Sequence, residues 1–166
     1  MIQYHQQLNE IINNAGDKIK EISTQDFNSK TNPSKWSKKE ILGHLIDSAY
    51  NNHRRLVMGQ SQGHLTFDGY DQDHWAIANP YQGRKTSDII QTWAVVNRHL
   101  GVLIDHIPRA QVEKKTTNHN YHKIGMRTFE ESEAVNLAML IEDYIFHTEY
   151  HLAQIIPDYQ RVSTFT

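Results

Sequence analysis

LAMLIEDYIFHTEYHLAQIIP, residues 137–157, carries its apolar side chains at intervals of three and four. At about 3.6 residues per turn, Leu137, Leu140, Tyr144, His147, His151 and Ile155 fall on one stripe. A helix is expected here, and the face it should bury turns from apolar to imidazole halfway along.

Three more stretches show the same period. Residues 3–23 place Leu8, Ile11, Ile12, Ala15, Ile19 and Ile22 on one side. A second helix is expected from SKKE, where Ser37 and Glu40 have capping-box spacing, to about Met58 before Gly59. A third begins near Thr86, carries Ile90, Trp93, Asn97, Leu100 and Ile104, and stops at Pro108. The fourth is expected to open at TFEE, with Thr128 and Glu131 as a second capping box, and to end at Pro157. No stretch alternates as a strand. Four amphipathic helices in 166 residues predict an all-α four-helix bundle, a single domain spanning 1–166. The connection 59–85 contains FDGYDQDHWAIANPY, too aromatic for a solvated linker, and is expected to fold over one end of the bundle.

Composition excludes several function classes. A net charge of -2 offers no basic field for nucleic acid. No apolar run approaches the roughly 18 residues of a membrane span, and MIQYHQQLNE lacks a signal-peptide core, so a soluble cytoplasmic protein is expected. With no cysteine, any metal must be held by histidine or carboxylate, and any thiol chemistry must use a thiol from outside.

The 11 histidines must be separated by position. His147 and His151, four apart, can converge on one ion, although the same spacing suits hydrogen-bonded core histidines. In the zincin helix His-Glu-x-x-His the glutamate is the general base. Here Glu149 falls two residues after His147, on the opposite side of the helix, which excludes that mechanism. Asp143, one turn before His147, is placed either to fix an imidazole tautomer or as an exposed acid. On the second helix Ile41, His44, Ser48, Asn51 and Arg55 share a face that competes with Leu42, Leu45, Ala49 and Leu56 for the interior. His119 and His122 read as surface residues of a polar loop, and His5, His53, His64, His74, His99 and His106 share no face. Trp93 is expected in the core and Trp36 as a staple before the second helix. Trp75 either lines a pocket or pins its loop.

Three segments, KWSKKEILGHLIDSAYNNHRRL, YDQDHWA and YIFHTEYHLAQI, together resemble the DinB/YfiT-like superfamily of four-helix metalloproteins. The resemblance implies His44, His147 and His151 as ligands of one divalent metal, an up-down-down-up bundle, and a homodimer acting on a small molecule. Tyr150 and Ala49 depart from the pattern beside the ligands. Three imidazoles leave at least one coordination position open, where a water or an external thiol is acidified. Zinc is the first expectation and nickel the second. The resemblance implies either a metal-dependent hydrolase of an amide or ester or a transferase joining a thiol such as bacillithiol to a small electrophile. Absence of a glutamate base on the ligand helix favours the transferase. Arg55, Asn51 and Ser48 are then the candidates to bind the thiol cofactor, and Arg55, Asn51 and Asp143 those to assist the chemistry. Arg98 on the third helix is a lesser candidate for a carboxylate of that cofactor and otherwise reads as a solvated surface residue. A metal-binding bundle with no catalysis is the remaining alternative.

Overall fold

The computed structural model describes residues 4–165. Its four long helices are α1 (Tyr4–Glu21), α2 (Lys38–Gly59), α3 (Thr86–His106) and α4 (Leu137–Ile155). Among the described residues there is no strand, only two isolated bridges, Leu65 with His119 and Thr116 with Val135.

The order of the helices follows from which residues meet. His5 lies 3.7 Å from Asp105, and Arg98 donates to Asn13, so α1 and α3 are antiparallel. Lys39 donates to the Arg84 carbonyl just before α3, and fourteen residues further on His53 stacks on His99, so α2 and α3 are parallel. Helix α4 is antiparallel to α2, with His147 beside His44 and Leu137 beside Gly59. The bundle is therefore up-down-down-up. The 59–85 connection must return along the bundle before α3 can begin, which explains its length.

Helix starts obey local chemistry where the sequence offers it. Ser37 caps α2, and the full capping box with Glu40 is present. The Thr128–Glu131 box does not form. Val135 exchanges backbone hydrogen bonds with Thr116, which holds the chain extended, and Asn136 caps α4 instead through Met139 N. The cap of the fourth helix thus lies eight residues later than its sequence pattern predicts, at Asn136 rather than Thr128.

The apolar stripes meet in one core. Leu8, Ile11, Ile12, Ala15 and Ile19 of α1 face Trp93, Leu100 and Ile104 of α3, all buried. Asn97 interrupts the α3 stripe, but its amide donates to the Trp93 carbonyl and its oxygen accepts from the buried Tyr144 hydroxyl, so no polar atom is stranded. On α2 the buried set includes Leu42, Leu45, Ala49 and Leu56 together with His44, Ser48, Asn52 and Arg55. Most of both competing registers is inside, with Ile41 and Asn51 only half-buried, because α2 packs on α3 with one face and on α4 with another. The two long connections lie against each other at one end of the bundle: Leu65 N donates to Asn118 O, and the Asn120 side chain pairs with the Phe67 backbone.

A strap at residues 79–83 is tied to α2 by Asp47. Its carboxylate accepts from the Tyr81 hydroxyl and from Asn79, while Oδ2 has no partner. Burial pushes the Asp47 carboxyl up to about 6, against the Tyr81 hydrogen bond, which lowers it. A folded-state pKa above the unfolded value means stability is greatest below about 4 and falls as pH rises to about 6. Asp47→Asn keeps an acceptor for Tyr81 and removes the buried charge. It should raise neutral-pH stability by about 1–3 kcal/mol and flatten the pH 4–6 limb, as read by urea unfolding across that range.

Candidate metal centre

His44 lies in the second turn of α2, and His147 and His151 lie on the facing turns of α4, where antiparallel packing brings the two helices side by side. The histidine ring centroids are 4.6–5.1 Å apart, and one ligand nitrogen from each lies within 4.8 Å of the others. The Nε2 atoms of His44 and His147 are only 3.1 Å apart.

Hydrogen bonds select which nitrogens face inward. His147 Nδ1 lies 3.3 Å from Ser48 Oγ, and His151 Nδ1 lies 3.1 Å from Gln154 Oε1. A ring nitrogen bonded to an amide oxygen must carry the proton, so Nε2 of His151 is bare. The same tautomer at His147 makes Ser48 its acceptor. Burial lowers the pKa of all three: His44 falls to about 3, with His151 adding to the effect. His147 lies well below its ordinary value, chiefly by burial and then by its neighbours His151 and His44. His151 is also lowered by burial, against Gln154. Neutral imidazoles with bare Nε2 atoms on a common centre fit a divalent ion, since imidazole binds only when unprotonated. His44 Nδ1 is buried without a partner, while the His44 ring packs 5.1 Å from Trp36.

His147 and His151 open on a cavity of about 370 Å³ between α2, α4 and the two long connections, and His44 is not among its lining residues. Ser48, Asn52 and Arg55 line it from α2, Asp143, His147 and His151 from α4, and Tyr70 and Lys123 from the connections. Arg55 is 7% exposed, and one of its NH₂ groups donates to the Asp68 carbonyl. Burial lowers its pKa, while Tyr70 and Asp143 act to raise it.

Several expected site residues sit elsewhere or do something else. Asn51 does not line the cavity; its amide donates to Asp47 O in the previous turn. The inward asparagine is Asn52, because the step of four from Ser48 matches the helical period better than the step of three in this register. Asp143 is neither an exposed acid nor a partner for an imidazole. It is 7% exposed, and its carboxylate accepts from Met126 N at 3.0 Å and Arg127 N at 2.7 Å, fastening the second connection to α4. Burial raises its pKa, opposed by those backbone bonds. Glu149 is fully buried on the far side of α4, where it accepts from Val162 N, Ser163 N and the Ser163 hydroxyl and ties down the C-terminal segment. His119 is buried, not a surface residue, and both its nitrogens bond backbone atoms. Trp75 packs on Tyr70 at 5.0 Å without lining the cavity. Arg98 is exposed and bonded to Asn13.

The sequence model of the DinB superfamily matches residues 7–155. A protein of Oceanobacillus iheyensis named as a putative metal-dependent hydrolase is 22% identical over 149 residues, 90% of this chain and 79% of its own length. The fold is similar to that of YfiT from Bacillus subtilis, described as a probable metal-dependent hydrolase with an unusual four-helix bundle topology. The TM-score is 0.72 at 15% identity, over 92% of this chain and 81% of that one.

Proposed function

We propose, of a chain that belongs to the DinB superfamily, that it is a metal-dependent enzyme joining a low-molecular-weight thiol of the bacillithiol type to a small electrophile. The observation that carries this reading is the cluster of three neutral imidazoles, two of which, His147 and His151, line a cavity that also presents Arg55 and Lys123 and whose one lining carboxylate, Asp143, is taken up by backbone amides. His44, His147 and His151 would hold the ion, zinc first and nickel second, since imidazole suits both. A divalent ion there supplies Lewis acidity and makes a thiol or a water acidic near neutral pH.

The chain's own groups then divide the work. Arg55, held by the Asp68 carbonyl, keeps guanidinium donors for a carboxylate of the thiol, and Lys123 adds a second positive charge at the rim. Asn52 holds Ser48 through both its carbonyl and its hydroxyl, and Ser48 in turn orients His147. Asp143 closes the cavity wall by holding residues 126 and 127. Its oxygens are occupied by backbone amides, which leaves no carboxylate disposed as a general base toward the histidines. Hydrolysis of an amide or ester is the second reading, favoured by the description of the Oceanobacillus relative.

Protein purified without a histidine tag and loaded with zinc should consume thiol and electrophile one for one. Arg55→Ala should raise the KM for a carboxylate-bearing thiol about tenfold and lower kcat less, because a clamp distant from sulfur contributes mainly ground-state binding. Metal-dependent cleavage of an ester or amide without thiol, with no acceleration across a thiol panel, would replace the transferase by the hydrolase.

A further inference from the structure

A second cavity, of about 420 Å³, shares no lining residue with the first and touches the histidine cluster at two points. Its wall consists of Ser34, Lys35, Trp36, Ile41, Asp73 and Gln154. The Trp36 ring packs on His44 with centroids 5.1 Å apart, and Gln154 Oε1 accepts from His151 Nδ1 at 3.1 Å. His44, which does not line the first cavity, therefore meets the second through Trp36. The indole is held in place locally. It directly precedes the Ser37 cap, which exchanges two hydrogen bonds with Glu40 and donates a third to Gln82.

The two cavities differ in chemistry. The first presents Arg55 and Lys123, and its one carboxylate is taken up by the amides of Met126 and Arg127, so it favours an anion. In the second, Lys35 and Asp73 are one charge of each sign on exposed rim positions. Its half-buried side chains are Trp36 and Ile41, one aromatic and one branched aliphatic. An apolar floor beneath a rim of no net charge gives an anion no advantage over water and favours an uncharged aryl or alkyl group.

We propose that this second cavity receives the uncharged carrier group of the electrophile, seated on Trp36 and Ile41, while the thiol occupies the cavity of Arg55 and Lys123. The inference rests on the transferase reading above and names its substrate class. The electrophile carries an aryl or branched alkyl group, with the reacting carbon a few bonds away. That spacing follows from Trp36 and Gln154, which put one layer of side chain between the seat and the histidines. Each substrate has its own cavity, so the two bind without competing and meet at the cluster.

The test uses the full isotope-labelled chain loaded with zinc and titrated with hydrocinnamyl alcohol, a phenyl ring on a short unreactive alcohol. Trp36, Trp75 and Trp93 are the three tryptophans, and each gives one indole N–H signal in a proton–nitrogen correlation spectrum. Trp36→Phe assigns its own signal by loss. The expected result is a saturable shift of the Trp36 signal alone, unchanged by excess mercaptoacetate. Ile41→Ala should raise the Kd about fivefold or more at constant zinc content, since it removes half of the apolar seat. A shift of Trp75 without Trp36, or competition by mercaptoacetate, overturns the inference, because the ring would then occupy the first cavity. No shift of any indole also overturns it and leaves the transferase reading standing, since zinc content and one-for-one thiol consumption are measured separately. A wild-type chain that takes up no zinc overturns both.

Discussion

Alanine at His147 or His151 should reduce metal content from about one ion per chain to almost none after dialysis, with His44→Ala close behind. Each substitution deletes a donor nitrogen, and the loss should exceed the 10- to 100-fold in affinity that removing an outer hydrogen-bond partner of a ligand costs. Ser48→Ala provides that milder comparison, since it takes away only the acceptor of His147 Nδ1. Elemental analysis of the purified variants reads the first quantity. Circular dichroism reads a second one: the triple alanine variant should remain helical, because Leu8, Ile11, Trp93, Leu100, Ile141 and Ile145 are fully buried without reference to the histidines. Full metal retention in the triple variant would falsify the ligand set. Complete unfolding would show instead that the ion holds the bundle together.

Gly43→Ala should be the most damaging single methyl in the chain. Gly43 precedes His44 on α2, and a Cβ built there would lie 2.3 Å from Cγ and Cδ2 of the Tyr81 ring, far inside contact distance. In an open helix this exchange would stabilise by roughly 0.5–1 kcal/mol. Here the ring has to leave, taking with it the hydroxyl that bonds Asp47 and the strap at 79–83. Overpacking and the stranded Asp47 carboxylate together should give a net loss of about 3 kcal/mol. For a chain of this length that lowers Tm by roughly 6–12 °C. Calorimetry checks it, and a Tm at or above wild type would mean that Tyr81 can be displaced without cost.

The parts of this architecture written in local sequence were readable, and those written in long-range pairing were not. Four 3.6-residue stripes place the four long helices, and the Ser37–Glu40 box marks the start of α2 because its bonds lie within four residues. The Thr128–Glu131 pair has the same spacing and fails, since the extended pairing of Val135 with Thr116 spans 19 residues and overrides it. At the candidate site, the i, i+4 pair on α4 brings His147 and His151 into view, whereas periodicity on α2 left His44 competing with a leucine register and only the resemblance to the DinB/YfiT-like superfamily singled it out. Asn51 and Asn52 differ by one step of 100° around the helix, and neighbouring asparagines give no pattern by which to choose. Tyr70 was visible only as part of an aromatic segment and Lys123 not at all, because they reach the cavity from irregular connections whose placement depends on the contacts of Asn118, Asn120 and Asp143. The role of Glu149 was half visible: periodicity turned it away from the histidines but said nothing of the C-terminal segment it holds.

The parallel run of α2 beside α3 also bears on how the chain reaches its native state. In an up-and-down bundle each helix closes on its sequence neighbour as a hairpin. Here α1 packs mainly on α3 and α2 on α3 and α4, so the first helix has no major partner until the chain has been made past about residue 106. At about 5–20 residues per second, the stripe from Leu8 to Ile19 waits several seconds during synthesis with its apolar surface uncovered. Dependence on such distant partners raises the contact order, and refolding should be slower than for hairpin-built bundles of equal length. The interval before α3 emerges is the period in which this protein is most open to chaperones and to aggregation.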